Sequence, residues 1–299
     1  MRRLVVAALL VLLPVAACGS SSGGTGLPTV TGAAGAKPTI AKPTGKPPAA
    51  LATSVITPGN GAVVAKGAYL VVNYLGMTWA GKEFDNSFDR AQPFGFTIGA
   101  GGVIKGWDEG LVGQKVGSRV LLGIPAELGY GAKGAGTDIP PDAALLFVVD
   151  VIGSFATQAQ GTAVALDDPA LPKVTGDGST LAITVPASAA PTALVAKTLI
   201  EGAGPPVVKG QTIVVQYIGA LWDGGKVFDS SWSRGEPAKF PIGAGNVIAG
   251  WDETLVGVKG GSRVLLVIPS GKAYGDAGRP PTIPAKATLV FVVDVLGAY

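Results

Sequence analysis

GAGGVIKGWDEGLVGQKVGSRVLLGIP, residues 99–125, returns as GAGNVIAGWDETLVGVKGGSRVLLVIP at residues 243–269, with 21 of 27 positions identical. The copies lie 144 residues apart (243 − 99). Solenoids and propellers repeat every 20–50 residues or so, so this spacing signals a duplicated globular domain. A chain of 299 residues also carries a length prior of about two domains. Each copy, on the order of 100 residues, can bury one core.

Composition narrows the class. Hydrophobic residues make up 47% and charged residues 14%, with 46 Gly and 23 Pro, which predicts turn-rich, β-dominated globular domains. Net charge is only +3, with Arg2 and Arg3 contributing at the extreme N-terminus, so no nucleic-acid surface is expected. Histidine is absent from the sequence, which excludes His-dependent triads and imidazole metal sites. No metal and no cofactor are expected.

Met1-Arg2-Arg3 and the apolar run Leu4 to Ala17 have the n-region and h-region of a secretory signal, too short for a spanning helix. Val15-Ala16-Ala17-Cys18 resembles the bacterial lipoprotein signal, which implies a signal peptide at 1–17 and lipidation of Cys18. Cys18 is the only cysteine and has no partner for an intramolecular disulfide. A lipidated Cys18 would anchor the exported protein to the outer face of the bacterial cytoplasmic membrane.

Residues 18–50 are rich in Gly, Ser, Thr, Ala and Pro with few large apolar side chains, so burial cannot offset ordering entropy and a flexible tether is expected. The stretch 156–194 is expected to link the copies in the same way. One feature cuts against plain coil: Leu27-Pro-Thr-Val-Thr-Gly32 recurs as Leu171-Pro-Lys-Val-Thr-Gly176. Part of each leader could therefore dock as an edge segment, with Pro43 and Pro186 blunting that edge.

Folded domains are expected at 51–155 and 195–299. Tyr69 to Leu75, Arg119 to Ile124 and Ala144 to Ile152 are apolar, β-branched runs that predict strands; Thr212 to Ile218, Arg263 to Ile268 and Thr288 to Leu296 repeat them. Between strands, Ile104, Trp107, Leu111 and Val112 have the spacing of a short helix. One short helix against antiparallel strands is an α+β arrangement. Gly99-Ala-Gly101-Gly102 is not a phosphate loop, because no G-x-G-x-x-G spacing and no βαβ unit accompany it.

The order Tyr74, Phe84-Asp85, Arg90, Phe94, Phe96, Val103-Ile104, Trp107, Tyr130, Ile139 and Phe147 strongly resembles the FKBP family of peptidyl-prolyl cis-trans isomerases. The resemblance extends over residues 51–153 and again over 195–299. It implies two FKBP-like domains, each a five-stranded antiparallel sheet wrapped around a short α-helix, with an aromatic pocket for a proline ring. On that pattern Trp107 is the floor, and Tyr74, Phe84, Phe94, Val103, Ile104 and Phe147 are the walls. Phe96 and Ile139 are grouped with them. Asp85 is the polar group at the edge, held by Arg90, while Ile104 offers its N–H and Tyr130 its hydroxyl. The second copy matches with Tyr217, Phe228, Asp229, Arg234, Phe240, Val247, Ile248, Trp251, Tyr274, Ile283 and Phe291. Without the resemblance, Asp85 and Asp229 also read as solvated loop charges, and Trp107 and Trp251 as plain core.

The copies differ in two places. Ala238 stands where the first copy has Phe94, which predicts a wider second pocket. Arg279-Pro-Pro-Thr282 replaces Ala135-Gly-Thr-Asp138 in the loop before Ile283 and Ile139. The implied function is non-covalent rotation of X-Pro bonds in exported polypeptides, with macrolide inhibitors of the family as further ligands and a monomer expected. The alternative is a holding or chaperone module without turnover.

Overall fold

A computed structural model describes residues 26–299; the expected signal segment and Cys18 lie outside the described residues. The first domain opens with two short strands, β1 (Val30–Thr31) and β2 (Thr39–Ile40), followed by β3 (Ala52–Thr57), β4 (Tyr69–Thr78), β5 (Glu83–Asn86) and β6 (Phe94–Thr97). Helix α1 (Lys105–Gly110), β7 (Arg119–Ile124) and β8 (Leu145–Phe155) complete it. The antiparallel sheet runs β3-β7-β8-β4-β5, and β6 pairs with the first half of β4.

The apolar runs become the central strands because both faces of the sheet are covered. On β8, Leu145, Phe147, Val149 and Val151 turn toward α1, packing with Leu70, Val72, Trp107 and Leu122. The intervening Leu146 and Val148 turn the other way, onto Leu75, Leu121 and Ile40. Side chains alternate across a strand, so a continuous apolar run needs two covers.

The second cover is the leader, and this corrects the expectation of a coil over residues 26–50. β1 and β2 pair only with each other; Ile40, Leu27, Val30 and Trp79 close over the back of the sheet, not its edge. A buried ion pair clamps it. Arg119 holds Asp150 at 2.6 and 2.7 Å, its remaining N–H groups donate to the Gly32 and Ala36 carbonyls, and Gly35 N–H donates to Asp150. Every side of the pair is hydrogen-bonded, which is what makes its burial tolerable.

The same scheme recurs in the second domain, and the linker expected over 156–194 is structured as well. β9 (Gly161–Ala163) joins the sheet edge through β12, and β10 (Lys173–Thr175) pairs with β11 (Ala182–Thr184) on the back face. Then come β12 (Val195–Gly202), β13 (Thr212–Leu221), β14 (Val227–Ser230), β15 (Ala238–Pro241), α2 (Ala249–Thr254), β16 (Ser262–Ile268) and β17 (Leu289–Ala298). Leu171 and Leu181 cover Ile218, Leu265, Val290 and Val292. Arg263 is paired with Asp294 and reaches Asp177 and the Gly176 carbonyl.

The domains meet through equivalent faces. Val71, Ile152 and Phe155 of the first pack with Val214, Leu296 and Tyr299 of the second, the same positions in each copy, with Tyr69 added from the first. That is the isologous pattern of a two-fold contact, here within one chain. Across it the Lys239 ammonium of β15 donates to the Pro93 carbonyl at 3.1 Å.

Candidate functional site

In the first domain, β4, β5, β6, β8 and α1 converge on a small cavity of about 200 Å³. Trp107, on the first turn of α1, is its floor: the residue is 4% exposed, and its indole N–H has no acceptor among the described residues. Tyr74 and Phe147 meet the indole edge-on at 5.3 and 5.2 Å between ring centres, the orientation that ring quadrupoles favour. Phe84 stands edge-on to Phe147 at 5.5 Å. Phe94 stands 6.2 Å from Trp107, and Val103, Ile104 and Tyr130 finish the lining.

At the rim the Tyr74 hydroxyl donates to one oxygen of Asp85, and Arg90 donates to the other at 2.5 Å. A second Arg90 N–H reaches the Tyr74 hydroxyl at 3.0 Å. Burial pushes the Asp85 carboxyl up, but the hydrogen bonds from Tyr74 and Arg90 outweigh it and hold Asp85 below the usual carboxylate range. Burial and then the bond to Asp85 push the Tyr74 phenol up to about 12. Burial, with the nearby Asp85 charge, also raises Tyr130. The rim is therefore an ionised carboxylate beside two neutral phenols.

The second domain repeats this arrangement. Trp251 is edge-on to Tyr217 and Phe291, both at 5.3 Å, and Phe228 is 5.5 Å from Phe291. Tyr217 and Arg234 both donate to Asp229, and Arg234 reaches the Tyr217 hydroxyl at 2.8 Å. Val247, Ile248 and Tyr274 are partly buried against the same core. Ala238 pairs with Val215 where Phe94 pairs with Val72, so the register of the two sheets puts the missing ring at the expected place.

Two residues differ from their expected part. Phe96 and Ile139 are 7% and 5% exposed and do not line the cavity. Phe96 stacks behind Phe94 at 5.3 Å, and Ile139 closes the loop onto Ala135; both support the walls. Ile283, 3% exposed, takes the place of Ile139 through its bonds to Arg279. The polar Asp138 in that loop has a partner, Lys82 at 2.8 Å.

Several supporting residues escaped sequence reading. Ser87, fully buried, accepts the Tyr74 N–H at 2.9 Å and donates to Asn73; Ser231 does the same for Tyr217. Asp108 accepts the N–H groups of Gly99 and Gly101 at 2.6 and 3.1 Å, tying the tight turn to the helix it feeds. Asp252 repeats this on Gly243 and Gly245. Gly76 is required by contact: a Cβ there would sit 2.7 Å from both Phe147 and Phe84. The charged residue that follows Trp in both copies was the visible hint of the Asp turn.

The family model described as FKBP-type peptidyl-prolyl cis-trans isomerase matches residues 61–152 and 204–296, more than half of the chain. The chain belongs to this family. It is 33% identical over 234 residues to mouse peptidyl-prolyl cis-trans isomerase FKBP10, covering 78% of this chain and 35% of that one. The chain thus spans about a third of the FKBP10 proteins it matches. One domain's length, 113 residues, is 47% identical to an FK506-binding protein of Streptomyces anulatus, covering 37% of this chain and 90% of that one. Among solved structures, FkpA from Escherichia coli is 41% identical, covering 35% of this chain and 47% of that one, with a TM-score of 0.33.

Proposed function

We propose that this FKBP-family chain accelerates cis-trans isomerisation of X-Pro bonds at two sites, in polypeptides outside the cytoplasm. The carrying observation is the apolar cavity of the first domain with its Tyr-Asp-Arg rim, and the recurrence of that rim over Trp251 in the second. Amide resonance opposes rotation with a barrier of about 18–20 kcal/mol, and uncatalysed exchange takes tens of seconds or so. At the twisted transition state that resonance is lost, the carbonyl is less polar and the nitrogen is pyramidal. A cavity floored by Trp107 hosts this state better than the polar planar amide, so removal from water lowers the barrier without a covalent step.

The rim residues take orienting roles in this reading. Asp85, fixed by Tyr74 and Arg90, keeps the twisting carbonyl out of water. The Ile104 N–H, which has no acceptor among the described residues, and the Tyr130 hydroxyl receive the flanking carbonyls. Tyr217, Asp229, Arg234, Ile248 and Tyr274 do the same in the second site. Macrolide inhibitors of the family would occupy the same cavities.

Export, a lipid anchor on Cys18 and a monomeric state belong to the same proposal. Export and the anchor are supported by the N-terminal charge and apolar pattern and by the lone cysteine at its end. Incorporation of labelled fatty acid that vanishes in Cys18→Ala is the expected result; incorporation that persists refutes the anchor. For the activity, NMR exchange on a single-proline peptide should show accelerated isomerisation that a macrolide of the FK506 class suppresses. Binding without any gain in rate would favour a holding module.

A further inference from the structure

A groove of about 690 Å³ runs between the domains. Arg90, Pro93 and Phe94 of the first domain form one bank, and Asp229, Ala238 and Phe240 of the second form the other. Phe94 belongs to two spaces at once, as a wall of the first cavity and as part of this groove. Phe94 is 40% exposed. On the opposite bank Ala238 opens the second site at the position where its own domain would otherwise carry a ring.

The banks are held in register. Lys239, next to Ala238, donates to the carbonyl of Pro93, next to Phe94, and the Val71, Ile152 and Phe155 face packs on its second-domain equivalents. Lys239 has no carboxylate within salt-bridge distance among the described residues, and its burial lowers its pKa with only partial relief from Glu236. A half-buried ammonium spent on one carbonyl reads as a fastener between the two strand ends.

We propose that the groove makes the two sites one surface for a single extended polypeptide with two separated prolines, Pro93 and Phe94 supplying the wall that Ala238 lacks. The inference rests on the isomerase reading of each site. Its physical basis is continuity: rim residues of both prolyl sites line one hollow, so a chain leaving the first cavity past Phe94 enters the second beside Ala238. The occupant must be extended and free of bulky structure where it crosses between the banks. Once one proline is seated, the second binds at an effective concentration in the millimolar range or so, which multiplies affinity by about 10²–10⁴ when the spacing fits.

The test uses the full chain with single-proline peptides and with two-proline peptides joined by Gly-Ser spacers of graded length. Calorimetry should show one spacer length at which the two-proline peptide binds at least about tenfold more tightly than the single-proline peptide, with one-to-one stoichiometry. Gln92→Trp and Glu236→Trp place bulk in the groove from exposed positions outside both cavities. Each should abolish the two-proline advantage while single-proline turnover, which also reports correct folding, stays at the wild-type level. A gain below about tenfold at every spacer, or an advantage that survives both substitutions, overturns the proposal. Absence of single-proline turnover in the wild-type chain would instead overturn the isomerase reading.

Discussion

Replacing Asp150 by Ala should destabilise the first domain severely, although Asp150 lies on the face of β8 away from the cavity. Arg119 has 0% side-chain exposure, and Asp150 takes two of its hydrogen bonds at 2.6 and 2.7 Å. Removing the carboxylate strands a buried guanidinium whose remaining partners are two leader carbonyls. It also removes the acceptor of the Gly35 N–H. Breaking a buried pair in this way costs about 3–5 kcal/mol. With an m-value of about 2 kcal/mol per molar urea for a domain this size, the midpoint should fall by about 2 M. Urea unfolding, with amide exchange on β7 and β8 to assign the transition to the first domain, measures it. Arg119→Leu combined with Asp150→Leu buries no charge and should lose less than the single change. An Asp150→Ala midpoint within about 0.3 M of wild type would refute the clamp.

Further predictions concern the site. Asp85 is held below the usual carboxylate range, so its contribution is present above the unfolded value near 3.9 and is lost only as pH falls through the lower folded value. Tyr74, pushed up to about 12, contributes fully below the unfolded phenol value near 10 and loses that contribution as pH rises toward 12. With no histidine in the chain, turnover should be flat from about pH 5 to about pH 9; an inflection near neutrality would contradict the rim assignment. Gly76→Ala drives a methyl into Phe84 and Phe147. It should weaken peptide binding at the first site while costing about 1–3 kcal/mol of stability, as overpacking does, and unchanged binding in calorimetry would argue against the packed wall.

The strands and the Trp-bearing helix were legible in the sequence because their apolar runs and turn residues leave direct marks. Tyr69 to Leu75 was readable as a strand, and the structure extends it to Thr78. The docked leaders were legible only in part: the repeated Leu-Pro-x-Val-Thr-Gly pointed to docking but to the sheet edge and not to its back face, for a physical reason. The first contributes only a few apolar side chains, such as Leu27, Val30 and Ile40, and Arg119 holds it through backbone carbonyls that no side-chain pattern records. A signal was nevertheless present in β8: adjacent Leu145 to Val149 are all apolar, which leaves one face of the sheet in need of a cover. Tyr74, Asp85 and Arg90 could be read because their side chains bond to one another. The parts of Ser87 and Asp108 could not, since both act on main-chain amides, and the repeated Asp after Trp gave no more than a hint. The groove was also beyond sequence reading, because its lining comes from two domains whose residues lie far apart in the chain.

The decisive measurement is cis-trans exchange of a single-proline peptide by wild-type chain, Asp85→Ala, Asp229→Ala and the double variant, each checked for fold by circular dichroism. Each single change removes the acceptor of one Tyr-Arg rim and should leave the other site working. The double variant should fall by about tenfold or more, matching the loss of a charged hydrogen bond of about 1.5–3 kcal/mol, with its circular dichroism unchanged. Full turnover in a correctly folded double variant would contradict the assignment of these two rims to the reaction.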